Sequence, residues 1–316
     1  MKIVFDKYIP FLAEAAGKHW SGVQIFPMKP EEINRQTVRD ADVLVIRTRT
    51  RADANLLSGS QVKMVCTATI GFDHIDTVWC ESQGIRWMSC PGCNAQAVCD
   101  YIEEALNEYF NYQLSTINYQ LSIGIVGVGH VGSLVAKMAE RKGLKVLLND
   151  PPKHIGVSID EIADNCDIVT FHVPLDTTTH HLCDTAFLNR CRRHALIINA
   201  ARGGVVDEQA LAGSGHPYIL DTWENEPHLN PDVLQHAVLA SMHIAGYSLE
   251  GKMNATQMCL DAIAAHFHLP PITRISASFG ITTHGDTAPG WLARISAQLK
   301  EQPDQFELLR KNYILR

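Results

Sequence analysis

The chain has 316 residues, 46% of them hydrophobic and 19% charged. That length predicts two domains, and that balance a soluble globular protein with well-filled cores. A formal net charge of -7 argues against non-specific nucleic-acid or anionic-membrane binding, and no apolar run is long enough to span a bilayer.

The first residues, Met1 to Asp6, are charged too early for a signal peptide and read as a strand. Further short strands are expected at 43–47, 64–67 and 86–88, with helical stretches at 11–17 and 75–83. A long helix is expected from Ala95 to Phe110, with Ala97, Ile102, Ala105, Leu106 and Tyr109 along one stripe. Asn-Tyr-Gln-Leu-Ser at Asn111 recurs at Asn118, which reads as a local duplication in a loop. A second strand–helix series follows, with strands at 122–126, 145–149, 168–172, 195–199, 218–221 and 238–240. Helices are then expected at 250–266, 289–301 and 306–312. Strands alternating with helices predict an α/β protein of two doubly wound parallel-sheet domains.

The nine cysteines are an odd, scattered set, unlike a disulfide framework, so a cytoplasmic location is expected. Cys90-Pro91-Gly92-Cys93 has the spacing of a redox pair or half a zinc site, but no second ligand pair accompanies it. It reads as a turn before a helix, and no metal is expected.

The most informative motif is Gly127-Val128-Gly129-His130-Val131-Gly132. Alone it says little, but here it follows an apolar strand and opens an apolar helix. Gly127 permits the tight turn, Gly129 lets backbone approach a pyrophosphate, and Gly132 lets helix and strand pack closely. The helix start supplies amides and partial positive charge. Asp150 stands 18 residues beyond Gly132, where an acid pairs with ribose hydroxyls and repels a 2′-phosphate, so NAD is favoured over NADP.

Three segments end later strands of the same series: Asn199 to Asp207 with Arg202, Asp221 to Pro227 with Glu224 and Glu226, and Ser241 to Tyr247 with His243. All three meet at the carboxyl edge of one sheet. Oxidising a secondary alcohol needs a base, and His243 suits it. A carboxylate that orients the imidazole is also needed. Glu226 is the first choice and Glu224 the second. Arg202 has the fork to hold a substrate carboxylate and polarise the C2 oxygen. His172 is expected to line the cofactor pocket through its backbone.

These residues carry a resemblance. The chain resembles the D-isomer-specific 2-hydroxyacid dehydrogenases through Gly71-Phe72-Asp73-His74-Ile75-Asp76, Pro91-Gly92-Cys93-Asn94-Ala95, Gly124 to Gly132 with Asp150-Pro151-Pro152, and His243 to Lys252. The last run is the most specific, because general members lack its Tyr-Ser-Leu-Glu-Gly-Lys extension. The resemblance covers about residues 1–268. It implies a Rossmann-type cofactor domain (residues 96–246) inserted in a flavodoxin-like substrate domain (1–95 plus 247–268), with a cleft whose closure excludes water. Residues 269–316 form a shortened C-terminal segment in which the family's dimerisation role is open. The resemblance implies oxidation of 4-phospho-erythronate to 2-oxo-3-hydroxy-4-phosphobutanoate on the route to pyridoxal 5′-phosphate, and a homodimer. It implies Arg202, Glu226 and His243 as catalytic. His130, Val131, Ala200, Asp221 and the backbone near Gly246 join the glycines, Asp150 and His172 at NAD. Thr48, Thr69 and Tyr247 would contact substrate, with Arg47, Arg49 and Arg51 adding positive charge. The same residues would serve a 3-phosphoglycerate dehydrogenase or a hydroxypyruvate reductase. A non-catalytic NAD-sensing protein is the alternative of another class, and the intact Arg202, Glu226 and His243 argue against it.

Overall fold

Val43–Ile46 and Met64–Thr67 are four-residue runs buried at every position, and such strands need cover on both faces. The computed structural model describes residues 1–111, 120–275 and 288–315, so most of the Asn111 to Ser122 duplication lies outside the described residues. The chain divides into two compact units, Met1–Asn94 with Ser248–Thr282 and Ala95–Tyr247 with Thr283–Arg316, as far as those spans are described.

The first unit holds strands β1 (Lys2–Asp6), β2 (Gln24–Met28), β3 (Val43–Ile46), β4 (Met64–Thr67) and β5 (Arg86–Met88). They form a parallel five-stranded sheet in the order β2-β1-β3-β4-β5, the flavodoxin-like order. Alternate residues feed two cores. Ile3, Phe5, Val43, Val45, Met64 and Cys66 pack with helices Leu12–His19 and Leu249–Phe267 on one face. Val4, Leu44, Ile46 and Val65 join the other core with Leu57 and Cys80. The sequence reading missed β2. Its exposed, Pro27-containing run is an edge strand with neither alternation nor a continuous apolar signal.

The second unit adds β6 (Ser122–Val126), β7 (Lys145–Asp150), β8 (Ile155–Gly156), β9 (Ile168–Phe171), β10 (Leu196–Asn199), β11 (Tyr218–Leu220) and β12 (Leu239–Ala240). The seven-stranded order is β12-β11-β10-β9-β6-β7-β8, a Rossmann order extended by one strand. Every pairing is parallel except that of β7 with the two-residue β8, an antiparallel edge too short to read from sequence. The described tail residues of this unit form helices Trp291–Glu301 and Phe306–Asn312. Glu108 caps the first of them by accepting from the amides of Leu292 and Ala293 at 2.8 and 2.7 Å, and Ser296 Oγ accepts from Ala240 N at 2.9 Å. The tail is therefore built onto the β12 side of the sheet.

The cysteines at 90 and 93 sit in the turn before helix Ala95–Tyr109. Both are buried free thiols. Burial pushes Cys93 up to about 12, and a bond with Cys259 at 3.6 Å together with burial raises Cys90 far above the ordinary thiol value. Neither is a nucleophile near neutral pH.

Candidate active site

Winding in the second unit reverses beside β6, whose neighbours are β7 and β9. The crevice beyond the strand ends at such a switch point is where α/β sheets bind ligands. The glycine turn occupies it. Gly127 has φ +90, and a Cβ there would lie 2.7 Å from the His172 carbonyl oxygen. At Gly132 a Cβ would lie 1.9 Å from the Gly127 oxygen. Gly129 differs: the nearest atom to a Cβ there is Lys153 Nζ, at 3.9 Å. Two glycines are thus demanded by the protein's own packing, and the third leaves room for a ligand. Helix His130–Arg141 begins here with no side-chain cap, so its first amides and the helix dipole are available to a pyrophosphate. Asp150, at the end of β7, accepts from Val128 N through Oδ2 at 2.8 Å. Its Oδ1 makes no hydrogen bond among the described residues, which fits it to a ribose hydroxyl. Lys153, which the sequence reading passed over behind two prolines, donates to Val128 O at 2.8 Å and pairs with Asp150 at 3.3 Å. His130 and Val131 form the first turn of the helix. His172 follows β9, with Nε2 3.0 Å from Thr170 Oγ1, and burial drives its pKa down to about 3, so the ring is neutral. These residues fit a dinucleotide.

The loops after β10, β11 and β12 interlock. Asn199 bonds Arg202 O at 2.8 Å and Ala201 N at 3.0 Å, which ties down the loop carrying Ala200 and Arg202. A Cβ at Gly203 would lie 2.0 Å from the Trp223 oxygen, so this loop presses on the next one. Arg202 Nη1 donates to Ala201 O at 2.8 Å. Asp221 is buried, and it accepts from Ser241 Oγ at 2.6 Å, Ile244 N at 2.7 Å and Ala245 N at 2.9 Å. With Asp221 O receiving His243 N at 2.8 Å, it fixes the loop in which His243 adopts a left-handed φ of 57 and which continues to Gly246.

The outcome is a carboxylate–imidazole pair. His243 Nδ1 lies 2.9 Å from Glu226 Oε2 and 3.1 Å from Oε1. Glu226 also accepts from Trp223 N at 3.0 Å. Burial pushes its pKa up, but the His243 bond and charge, the Trp223 amide and the charge of Arg310 outweigh burial and hold it below the usual glutamate value. An ionised carboxylate only accepts, so Nδ1 carries the proton and Nε2 is the basic nitrogen. Glu224 takes no part in this pair. Its side chain meets His181 Nε2 at 2.6 Å, and its amide donates to Glu208 at 2.7 Å. Tyr247 Oη accepts from Arg310 Nε at 3.0 Å. Arg310 and Glu208 were both missed. For Glu208 the only sequence signal was its place after Asp207 at a helix start, and for Arg310 there was none.

Thr48 and Thr69 belong to the first unit. Thr48 is exposed after β3. Thr69 Oγ1 donates to Gly71 O at 2.9 Å and sits 2.6 Å from Thr67 Oγ1. Arg47 pairs with buried Asp6 at 2.8 Å, and Arg51 with Asp53 at 3.1 Å. Lys252 has a lowered pKa, from burial first and then from the charge of Arg47. Arg47 and Arg51 are thus each matched by a carboxylate. Among the described residues no group of three or more His, Cys, Asp or Glu side chains is placed to hold a metal ion.

Residues 100–245 match the family model for the D-isomer specific 2-hydroxyacid dehydrogenase, NAD binding domain. An erythronate-4-phosphate dehydrogenase of Bacteroides thetaiotaomicron is 41% identical over all of this chain and 97% of its own. One from Coxiella burnetii is 35% identical, covering 100% and 93%. The chain belongs to the D-isomer-specific 2-hydroxyacid dehydrogenase family. As such it is an NAD-dependent dehydrogenase, and the glycine turn and Asp150 fall within the span that matches the NAD binding domain. Among solved structures, an NAD-bound 3-phosphoglycerate dehydrogenase of Entamoeba histolytica superposes with a TM-score of 0.70 at 23% identity, covering 85% of this chain and 95% of the other. That likeness shows the α/β fold of parallel sheets.

Proposed function

We propose that this dehydrogenase oxidises 4-phospho-D-erythronate to 2-oxo-3-hydroxy-4-phosphobutanoate, a step of pyridoxal 5′-phosphate biosynthesis. The observation that carries the chemistry is the Glu226–His243 pair at 2.9 Å, set on the same sheet edge as the glycine turn. The preference for this acid over 3-phosphoglycerate or hydroxypyruvate is supported by the relatives' full-length similarity and by the Tyr-Ser-Leu-Glu-Gly-Lys run after Gly246.

His243 Nε2 takes the C2 hydroxyl proton as the C2–H hydride departs, leaving a carbonyl at C2. When bound, NAD would supply the hydride acceptor. Glu226 keeps Nδ1 protonated and stabilises the imidazolium that forms. Arg202 grips the substrate carboxylate and draws charge toward the C2 oxygen. Asp221 holds the His243 loop in register. Gly127, Gly129, Gly132, His130 and Val131 would seat the pyrophosphate, Asp150 the ribose, and His172, Ala200 and Gly246 would form the remaining cofactor wall. Thr48, Thr69 and Tyr247 contact the acid, and the first unit serves as the substrate domain. We place the enzyme in the cytoplasm, where its free cysteines stay reduced, and as a homodimer.

The test is NADH formation with 4-phospho-erythronate and NADH consumption with its 2-oxo product, with 3-phosphoglycerate as control. Preference for the four-carbon phosphate is expected. Faster turnover of the control, or of an unphosphorylated acid, keeps the dehydrogenase and discards the substrate. NAD binding with no turnover of any 2-hydroxy acid discards catalysis.

A further inference from the structure

Glu208 opens helix Glu208–Ser214 and is buried. That end of the helix is anchored. Asp207 Oδ1 accepts from Ala210 N at 2.9 Å, and Asp207 N donates to Cys183 O at 3.0 Å. From this fixed point Glu208 Oε1 accepts from Glu224 N at 2.7 Å. The same peptide is pressed on its carbonyl side by the arginine loop. A Cβ at Gly203 would lie 2.0 Å from the Trp223 oxygen and 2.5 Å from Glu224 N. The segment that follows Arg202 therefore holds the Trp223–Glu224 peptide at both its oxygen and its N–H. Trp223 N in turn donates to Glu226 Oε1 at 3.0 Å, and the Trp223 indole donates to Ser241 O at 2.9 Å. The set of that one peptide decides where the Glu226 carboxylate stands.

We propose that Glu208 is a positioning residue for the reaction, clamping the Trp223–Glu224 peptide to the arginine segment so that the Glu226 carboxylate stays in line with His243 Nδ1. This rests on the reading of Glu226 and His243 as the acid–base pair. Holding a carboxyl in this place works against its own ionisation. Burial raises its pKa to about 7, the Glu224 amide opposes this, and the charges of Glu224 and Glu226 add to it. A buried acid kept at such a cost is expected where the position of its partner matters to function. The sensitivity is high, since a displacement of about 1 Å in a catalytic group can cost about 100-fold in rate. The loop has a second hold in His181, whose Nε2 meets the Glu224 side chain at 2.6 Å and whose amide donates to Gly204 O at 2.8 Å. Cutting Glu208 back therefore loosens the peptide without releasing the loop.

The test compares wild type with Glu208→Ala, Glu208→Gln, Glu226→Gln and the Ala–Gln double variant, on whichever 2-hydroxy acid the wild type oxidises fastest. Rates are counted per NADH-binding site titrated by fluorescence, so unfolded protein does not enter kcat. Glu208→Ala is expected to lower kcat about tenfold, with KM for the acid and Kd for NAD within about twofold of wild type. Glu208→Gln keeps an acceptor for the Glu224 amide and is expected to retain at least about half of wild-type kcat. Because Glu208 acts through Glu226, the double variant is expected to show the kcat of Glu226→Gln alone. Wild-type kcat in Glu208→Ala, a loss carried by KM instead, an equal loss in Glu208→Gln, or losses that multiply in the double variant overturns the proposal. Wild-type kcat in Glu226→Gln removes the reading of the pair, and this proposal with it. A slowed Glu226→Gln beside an unaffected Glu208→Ala removes this proposal alone. If Glu208→Ala does not fold, Glu208→Asp decides. It keeps the charge and withdraws the acceptor by one methylene, so kcat should fall at least about threefold, and wild-type kcat there overturns the proposal.

Discussion

Replacing Glu226 by Gln tests the pair at the centre of the site. The change is nearly isosteric. The amide oxygen still accepts from Trp223 N, which now bonds Oε1 at 3.0 Å, so the loop keeps its anchor. What is lost is the charged end of the bond to His243 Nδ1, now 2.9 Å long. A hydrogen bond to a charged group contributes about 1.5–3 kcal/mol. The imidazolium forms only as the proton moves, so the loss falls on the transition state. At about 1.4 kcal/mol per decade, kcat should drop by about 10- to 150-fold with the Kd for NAD unchanged. Stopped-flow NADH formation on the preferred acid reads kcat, and cofactor fluorescence titration reads Kd. His243→Ala sets the floor, with most turnover gone and NAD binding near normal. Glu224→Gln is the control. Its side chain meets His181 rather than His243, so its kcat should stay within about twofold of wild type. Wild-type turnover in Glu226→Gln, or an equal loss in Glu224→Gln, would refute the assignment of the orienting carboxylate.

At the cofactor turn, Gly132→Ala places a methyl 1.9 Å from the Gly127 oxygen. The backbone must shift, at a cost of about 1–3 kcal/mol, and NAD affinity should fall by at least about tenfold. Gly213→Ala, where nothing lies within 4 Å, should instead stabilise helix Glu208–Ser214 by about 0.5–1 kcal/mol and leave NAD binding alone. Glu208 makes stability depend on pH. Burial raises it from 4.5 to about 7; the Glu224 amide opposes this, and the charges of Glu224 and Glu226 add to it. A carboxyl raised on folding favours the folded state when protonated. Its contribution is therefore present below about 4.5 and lost as pH rises through about 7, a change of about 3 kcal/mol. Glu208→Gln keeps an acceptor for the Glu224 amide and removes the titration. The variant should be more stable than wild type at pH 8, and its advantage should shrink at pH 5. Thermal midpoints at the two pH values check this, and an advantage that does not change between them refutes it.

How far the sequence foretells this molecule depends on how local each signal is. Met64–Thr67 and Ser122–Val126 fall where their buried runs predict, because a strand buried on both faces writes itself into consecutive residues. Gln24–Met28 has solvent on its open edge and so writes nothing. The glycine turn is legible because each of its requirements falls within six positions, and the structure then separates Gly127 and Gly132, demanded by packing, from Gly129, where a Cβ would meet nothing nearer than Lys153 Nζ at 3.9 Å. Glu226 and Glu224 look alike in sequence, since both follow the same strand. They differ only in what the folded loop presents to them, His243 to one and His181 to the other. Arg310 marks the limit. Its partner Tyr247 lies 63 residues away, and nothing in the periodicity of a seven-residue helix announces that its one arginine will turn inward. Pairings of that kind belong to tertiary packing alone, so the acid–base pair was found from the order of strand ends, while the Arg310–Tyr247 contact was found only from coordinates.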